Sequence, residues 1–202
     1  MPRRLLIVTT LVLTTALGLI AIGCDEDDDG DAEPTATTAA AEATATAPSD
    51  ETPSGTPFAG SRDPVVVPAG AMPTGQPKLI DVRAAEHEDF DRIVFEFDAA
   101  DPGFRVEYVD EAIGCGSGLP VEIAGAALLR VRITPVAAHD EAGAPTFPQQ
   151  EFMPALPSIV EAEQTCDFEA DVTWVIGLTE EADFTAVAVT DPFRIVVDVA
   201  HP

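Results

Sequence analysis

Cationic residues are what this 202-residue sequence has least of: 10 Lys+Arg, with Lys78 the only lysine, stand against 36 Asp+Glu, a formal net charge of −26. That balance excludes a nucleic-acid binder, because affinity for a phosphate backbone comes from Lys and Arg displacing counterions, and a surface this acidic repels polyanions. Large aromatics are scarce as well, with one Trp and one Tyr, so a carbohydrate face built on stacked indoles or phenols has little material. Cysteine is limited to three, an odd number that leaves one without a partner if the other two pair. The hydrophobic fraction is 46%, which excludes a wholly disordered acidic chain, and the length suits one domain or two small ones.

The first residues point to export. Arg3 and Arg4 precede an uncharged run over residues 5–23, rich in Leu, Ile, Val and Thr, the pattern of a signal whose positive end stays cytoplasmic while the apolar stretch inserts. It ends in Ala21-Ile22-Gly23-Cys24, which resembles a bacterial lipobox with Ala at the position where Leu is commoner. The resemblance implies cleavage after residue 23 and a diacylglyceryl anchor on the Cys24 thiol, enough acyl chain for stable attachment. An uncleaved signal anchor is the alternative, since about 19 apolar residues just span a bilayer. Either way the expectation is a chain held at the extracytoplasmic face of the cell membrane.

Residues 24–76 read as a tether. An acidic run from Asp25 to Asp31 leads into a stretch dominated by Thr, Ala, Pro, Ser and Glu that cannot bury enough apolar surface to offset its ordering entropy. Asp25-x-Asp27-x-Asp29-Gly30 matches the first half of an EF-hand loop, but Ala36 stands where the bidentate Glu belongs, so a solvated charge run is the better reading.

From about Pro77 the pattern becomes period two. Ile93, Phe95 and Phe97 share a face, as do Phe104, Val106 and Tyr108, and Leu129, Val131 and Ile133 alternate with Arg130 and Arg132. The longest alternation runs Phe168, Ala170, Val172, Trp174, Ile176, Leu178, and two further runs cover residues 184–190 and 193–199. With shorter candidates at 79–83, 121–123 and 158–165, the count is roughly eight or nine strands and no sustained helical period. The expected architecture is all-β, a single antiparallel β-sandwich over residues 77–202. Residues 137–157, with four prolines and no alternation, read as a long excursion between strands. Trp174 and Tyr108 fall in inward rows and are expected in the core.

With Cys24 lipidated, Cys115 and Cys166 remain as a pair in an oxidising compartment, closing a loop of about 50 residues that contributes roughly 4 kcal/mol on the chain-entropy model. Two separate thiols are the alternative.

Four blocks then carry a resemblance: His87-Glu-Asp-Phe-Asp-Arg-Ile-Val-Phe-Glu-Phe97, Pro102-Gly-Phe-Arg-Val-Glu-Tyr-Val109, residues 168–178, and Asp191-Pro-Phe-Arg-Ile-Val-Val-Asp-Val199. Together they resemble the AMIN-like domain, found in bacterial envelope lipoproteins and related to the AMIN modules that accompany peptidoglycan amidases. The resemblance implies a β-sandwich with a non-catalytic role in the envelope, binding wall material or an envelope protein partner. It does not imply amidase activity, because the separate zinc-dependent catalytic domain has no counterpart in the sequence.

Local candidates for chemistry are weak. His87-Glu88 lacks the second His of a zinc-peptidase helix, Asp91 standing in its place. The clusters His87-Glu88-Asp89 and His139-Asp140-Glu141 suit polar loops as well as a metal site, and neither a metal nor a cofactor is expected. Gly114-Cys-Gly-Ser-Gly118 has neither the Lys of a phosphate cradle nor the Gly spacing of a nucleophile elbow around Ser117, so a disulfide-pinned turn is preferred. His201, next to last, is expected to fray. No catalytic residue is assigned. The best candidates for contact with a ligand, such as the carboxylates of wall peptide stems, are Arg92, Arg105, Arg130, Arg132 and Arg194, against the reading that these arginines pair with acids across strands. The function that follows is a lipid-anchored, non-catalytic envelope module, with a secreted hydrolase acting on cell-wall material as the alternative.

Overall fold

The computed structural model describes residues 59–70, 75–99 and 102–202. The export signal, Cys24, the acidic run and the tether as far as residue 58 lie outside the described residues. Twelve strands and no helix occur among those described: β1 (Val65–Val67), β2 (Leu79–Glu86), β3 (Phe90–Phe97), β4 (Gly103–Val109), β5 (Ala112–Ile113), β6 (Pro120–Val121), β7 (Ala127–Thr134), β8 (Glu151–Phe152), β9 (Ile159–Phe168), β10 (Asp171–Leu178), β11 (Phe184–Val189) and β12 (Arg194–Ala200). They form a six-stranded sheet in the order β1-β4-β7-β10-β9-β8, a four-stranded sheet in the order β11-β12-β3-β2, and the small ribbon β5-β6. Every pairing between these strands is antiparallel.

The alternation of the sequence becomes the two inner faces of a sandwich. Ile93, Phe95 and Phe97 of β3 meet Val106 of β4, Leu129, Val131 and Ile133 of β7, and Trp174 and Ile176 of β10 in one buried cluster. Phe95 packs edge-on to Trp174 at 5.9 Å, and Tyr108 edge-on to Phe184 at 5.8 Å, so aromatic rings cross the gap between the sheets. The Tyr108 hydroxyl donates to Ala182 O at 2.6 Å, which satisfies its polar end inside the fold. The 137–157 excursion returns over this core, its Phe147 and Phe152 rings standing 6.3 and 6.2 Å from Trp174. It also supplies the short edge strand β8.

Three expectations are corrected. The fold starts before Pro77: β1 pairs Val65, Val66 and Val67 with Val106, Arg105 and Phe104, and Ser61 bridges to Phe184 of the other sheet. Three valines between Pro64 and Pro68 read as spacer, yet flanking prolines suit an edge strand, whose outer N–H groups need no partner. The run 168–178 is two strands, because Glu169 and Ala170 form a two-residue hairpin turn with φ of 49° and 65°. Neither is Gly or Asn, so the turn carries no sequence signal, and Phe168 ends β9, largely exposed. His201 does not fray: its backbone N–H donates to Asp89 O at 3.0 Å, and its Nε2 lies 2.9 Å from Asp91 Oδ1.

Candidate functional site

Three charged residues of the resemblance blocks, Asp91, Arg92 and Asp198, lie inside. Asp91, fully buried, accepts from the backbone N–H groups of Ser158 and Ile159 at 2.6 and 2.9 Å and contacts His201. One carboxylate thereby joins β3, the start of β9 and the C-terminal segment. Ser158 adds a hydrogen bond from its hydroxyl to Ala200 O at 2.7 Å. Arg92 grips Asp198 of β12 through Nε at 2.7 Å and Nη2 at 2.9 Å, with its guanidinium 5.2 Å from the Phe90 ring centre. Arg92, a candidate for ligand contact, is therefore enclosed and fixed to a carboxylate, a geometry that positions strands. Arg194 lies on β12 opposite Glu96, in the four-stranded sheet and away from the other three candidates.

Arg105, Arg130 and Arg132 come together on the outer face of the six-stranded sheet. Register sets two rows across it: Val66, Arg105, Arg132, Thr173 and Cys166, and beside it Glu107, Arg130, Val175, Glu163 and Glu151. Glu107 accepts from Arg105 Nη2 and Arg130 Nη2, and the Arg105 guanidinium above all, then that of Arg130, holds its carboxyl at about 2 against the opposing effect of burial. Arg132 donates through Nε to Asp171. At the far end of the second row burial, then Glu151 and Glu161, push the Glu163 carboxyl up.

Above this face stands the loop that carries the β5-β6 ribbon. Its turn is closed by Gly114 N to Leu119 O at 2.9 Å and Gly118 N to Gly114 O at 2.7 Å, with Gly118 at φ 67°, a conformation that favours glycine. Ser117 accepts from Leu119 N at 3.1 Å, a turn role. The Cys115–Cys166 disulfide, Cα atoms 5.2 Å apart, and a hydrogen bond from Cys115 N to Thr165 O at 3.1 Å fasten the turn to β9. Between turn and sheet lies a groove of about 450 Å³ lined by Arg130, Arg132, Glu111, Glu169, Asp171, Thr165, Thr173, Ile113, Val175 and Phe168, with the disulfide in its wall. Arg132 also borders a recess of about 350 Å³ shared with Val66, Val67 and Arg105.

A β-bulge shapes the floor of the groove. Thr173 pairs with Cys166 and Trp174 with Gln164, which leaves Thr165 as the extra residue of β9. Thr165 is 9% exposed, and its Oγ1, like Arg130 Nε, has no hydrogen-bond partner among the described residues. Alternation marks Arg130 and Arg132 as outward. It gives neither the register that brings Glu107 and Asp171 to them nor the bulge, nor the place of the disulfide in the groove wall.

The two His-acid clusters do not meet in a metal site. His87 stacks on Phe90 at 4.6 Å, His139 Nδ1 lies 2.7 Å from Asp167 Oδ2, and no group of three or more metal-ligating side chains is present among the described residues.

The sandwich thus combines internal charged ties at Asp91, Arg92 and Asp198 with a disulfide-walled groove lined by Arg130 and Arg132. The chain belongs to the AMIN-like domain family, whose model matches residues 77–201, and membership makes the sandwich a peptidoglycan- and envelope-related module. No curated protein and no solved structure matches the chain.

Proposed function

We propose that the protein is an envelope lipoprotein, anchored through Cys24 at the extracytoplasmic face of the cell membrane, whose AMIN-like sandwich binds wall material or an envelope protein without catalysis. The observation that carries this reading is the placement of Asp91, Arg92 and Asp198: these three charged residues of the signature blocks sit in buried ties between strands, where they serve as scaffold. The groove over the six-stranded sheet supplies the surface on which such a scaffold can recognise a ligand. Anchorage follows from the lipobox-like Ala21-Ile22-Gly23-Cys24, and the acidic tether keeps the module off an anionic surface that repels it.

Two measurements test the proposal. The intact mass of the membrane-extracted protein is expected to be that of a chain beginning at a diacylglycerylated Cys24, with Cys24→Ala leaving the chain unprocessed, and an unmodified chain beginning at Met1 in the unaltered protein would support the uncleaved signal anchor. Incubation of the protein with isolated cell wall is expected to give co-sedimentation without release of muropeptides. Release of muropeptides would replace this reading with the hydrolase.

A further inference from the structure

The composition of the groove narrows what it can hold. Two guanidiniums, Arg130 and Arg132, project from alternate positions of β7, roughly 7 Å apart along the strand, among three carboxylates, Glu111, Glu169 and Asp171. A polyanion is disfavoured, since acids outnumber cations in the lining and residues 77–202 carry 7 Lys+Arg against 25 Asp+Glu. A neutral sugar has little to stack on, because Phe168 is the sole aromatic among the described residues of the lining. A ligand that carries both signs satisfies each set of groups.

The donors for its anionic end are in place. Arg132 uses Nε on Asp171, and its two Nη groups make no ion pair among the described residues. Arg130 is steadied through Nη2 by Glu107. The side chains of Arg130 and Arg132 remain 40% and 55% exposed. Thr165 Oγ1 and Arg130 Nε, on residues of the lining, are buried polar atoms whose hydrogen bonding the described residues do not complete. Ile113, Val175 and Phe168 supply apolar contact for a small side chain, and the volume is that of a small-molecule or short-peptide site.

We propose that this groove binds a short peptide bearing a carboxylate, received by Arg130 and Arg132, and an ammonium group, received by Glu111 and Glu169. This rests on the binding-module reading and specifies its ligand. The disulfide-pinned turn forms one wall, so the site belongs to the oxidised protein.

Calorimetry with the detergent-solubilised full chain tests it, using the N-acetylated peptide Ala-Lys-Ala-Ala with a free C-terminus. Amidation of the C-terminus is expected to weaken binding about tenfold or more, the loss of charge-assisted hydrogen bonds, and acetylation of the lysine by a smaller factor. Arg132→Gln should make acid and amide bind alike, while Arg62→Gln, in an exposed pair with Glu181 and Asp183 outside the groove, should change neither. Glu169→Gln should weaken the lysine peptide and leave its acetylated form unchanged, which keeps the test intact if Arg132→Gln fails to fold. Equal binding of acid and amide, insensitivity to both variants, or no binding by any peptide overturns the assignment. Co-sedimentation with cell wall reads the broader proposal separately: if the peptides fail and the wall still pellets the protein, the groove is wrong and the module reading stands. Competition separates the sources: if soluble stem peptides released from the wall abolish pelleting by intact wall, the ligand is assigned to the stems, and if pelleting is unchanged at concentrations that fill the groove, the groove's peptide is assigned to a protein terminus.

Discussion

Arg92 on β3 and Arg132 on β7 are both arginines at outward positions of strands whose alternate residues fill the same core, and their surroundings give them opposite uses. Arg92 places two N–H groups on the Asp198 carboxylate, and the two side chains are only 7% and 12% exposed. Arg132 makes a single contact to Asp171 and is 55% exposed. Removing one partner of an enclosed pair leaves a charge without water or counterion, whereas an exposed pair trades one set of solvated contacts for another. In the four-stranded sheet the Arg92–Asp198 pair thus carries charge as structure. In the six-stranded sheet the Arg132–Asp171 pair carries it at the surface.

The comparison breaks most visibly at Asp198. Asp198→Ala is expected to destabilise the domain by about 3–5 kcal/mol, measured by urea denaturation, and Arg92→Lys should also destabilise it because an ammonium cannot reproduce the two-point grip. Asp171→Ala, which removes the partner of Arg132, should cost under about 1 kcal/mol. Equal losses at the two sites would mean that exposure does not separate the two arginines.

Alternation was enough to read the sandwich and its core rows, including the inward positions of Trp174 and Tyr108, because period two survives wherever one face of a strand is buried. It could not rank the arginines. Arg92 and Arg132 look alike in sequence, and only register, which pairs Arg92 with Asp198 and Arg132 with Thr173, shows which carboxylate lies within reach. Cysteine parity found the Cys115–Cys166 pair, but the groove depends on where the tied turn stands over the sheet, a three-dimensional fact with no local signature. The turn at Glu169 and Ala170 escaped because neither residue is a usual left-handed one. β1 escaped because three residues are too few for a period to show.

β1 offers the next test. Val65 and Val67 pack against the core, and the strand's backbone covers the β4 edge beside Arg105. A chain beginning at Pro77 keeps the four-stranded sheet and every residue matched by the family model, but loses this strand and the Ser61 bridge to Phe184. The expected loss is roughly 2 kcal/mol, from partial exposure of Val65, Val67 and their contacts, with a chain beginning at Ala59 as the reference. Hydrogen exchange should locate the loosening in β4 of the six-stranded sheet and leave the β3-β12 pairing protected. Uniform loosening of both sheets would show that the two charge systems share one cooperative scaffold.

The smallest effect belongs to Glu107, the carboxylate at the centre of the exposed arginines. Its carboxyl is held at about 2 against an ordinary value of 4.5. Because the folded value is the lower one, its stabilising effect is full above pH 4.5 and disappears as pH falls toward 2. The side chains of Arg105 and Arg130 are 47% and 40% exposed, so water screens the interaction and the contribution at neutral pH is expected to be under about 1 kcal/mol. Glu107→Gln should therefore lower stability slightly at pH 7, match the unaltered protein at pH 2, and give a shallower slope of stability against pH between those limits. Urea midpoints measured across that range read the difference. A loss at pH 7 as large as that of Asp198→Ala would place Glu107 among the structural ties and erase the contrast between the sheets. A small loss, with Arg130 and Arg132 less firmly oriented, should appear instead as weaker peptide binding in an otherwise intact fold.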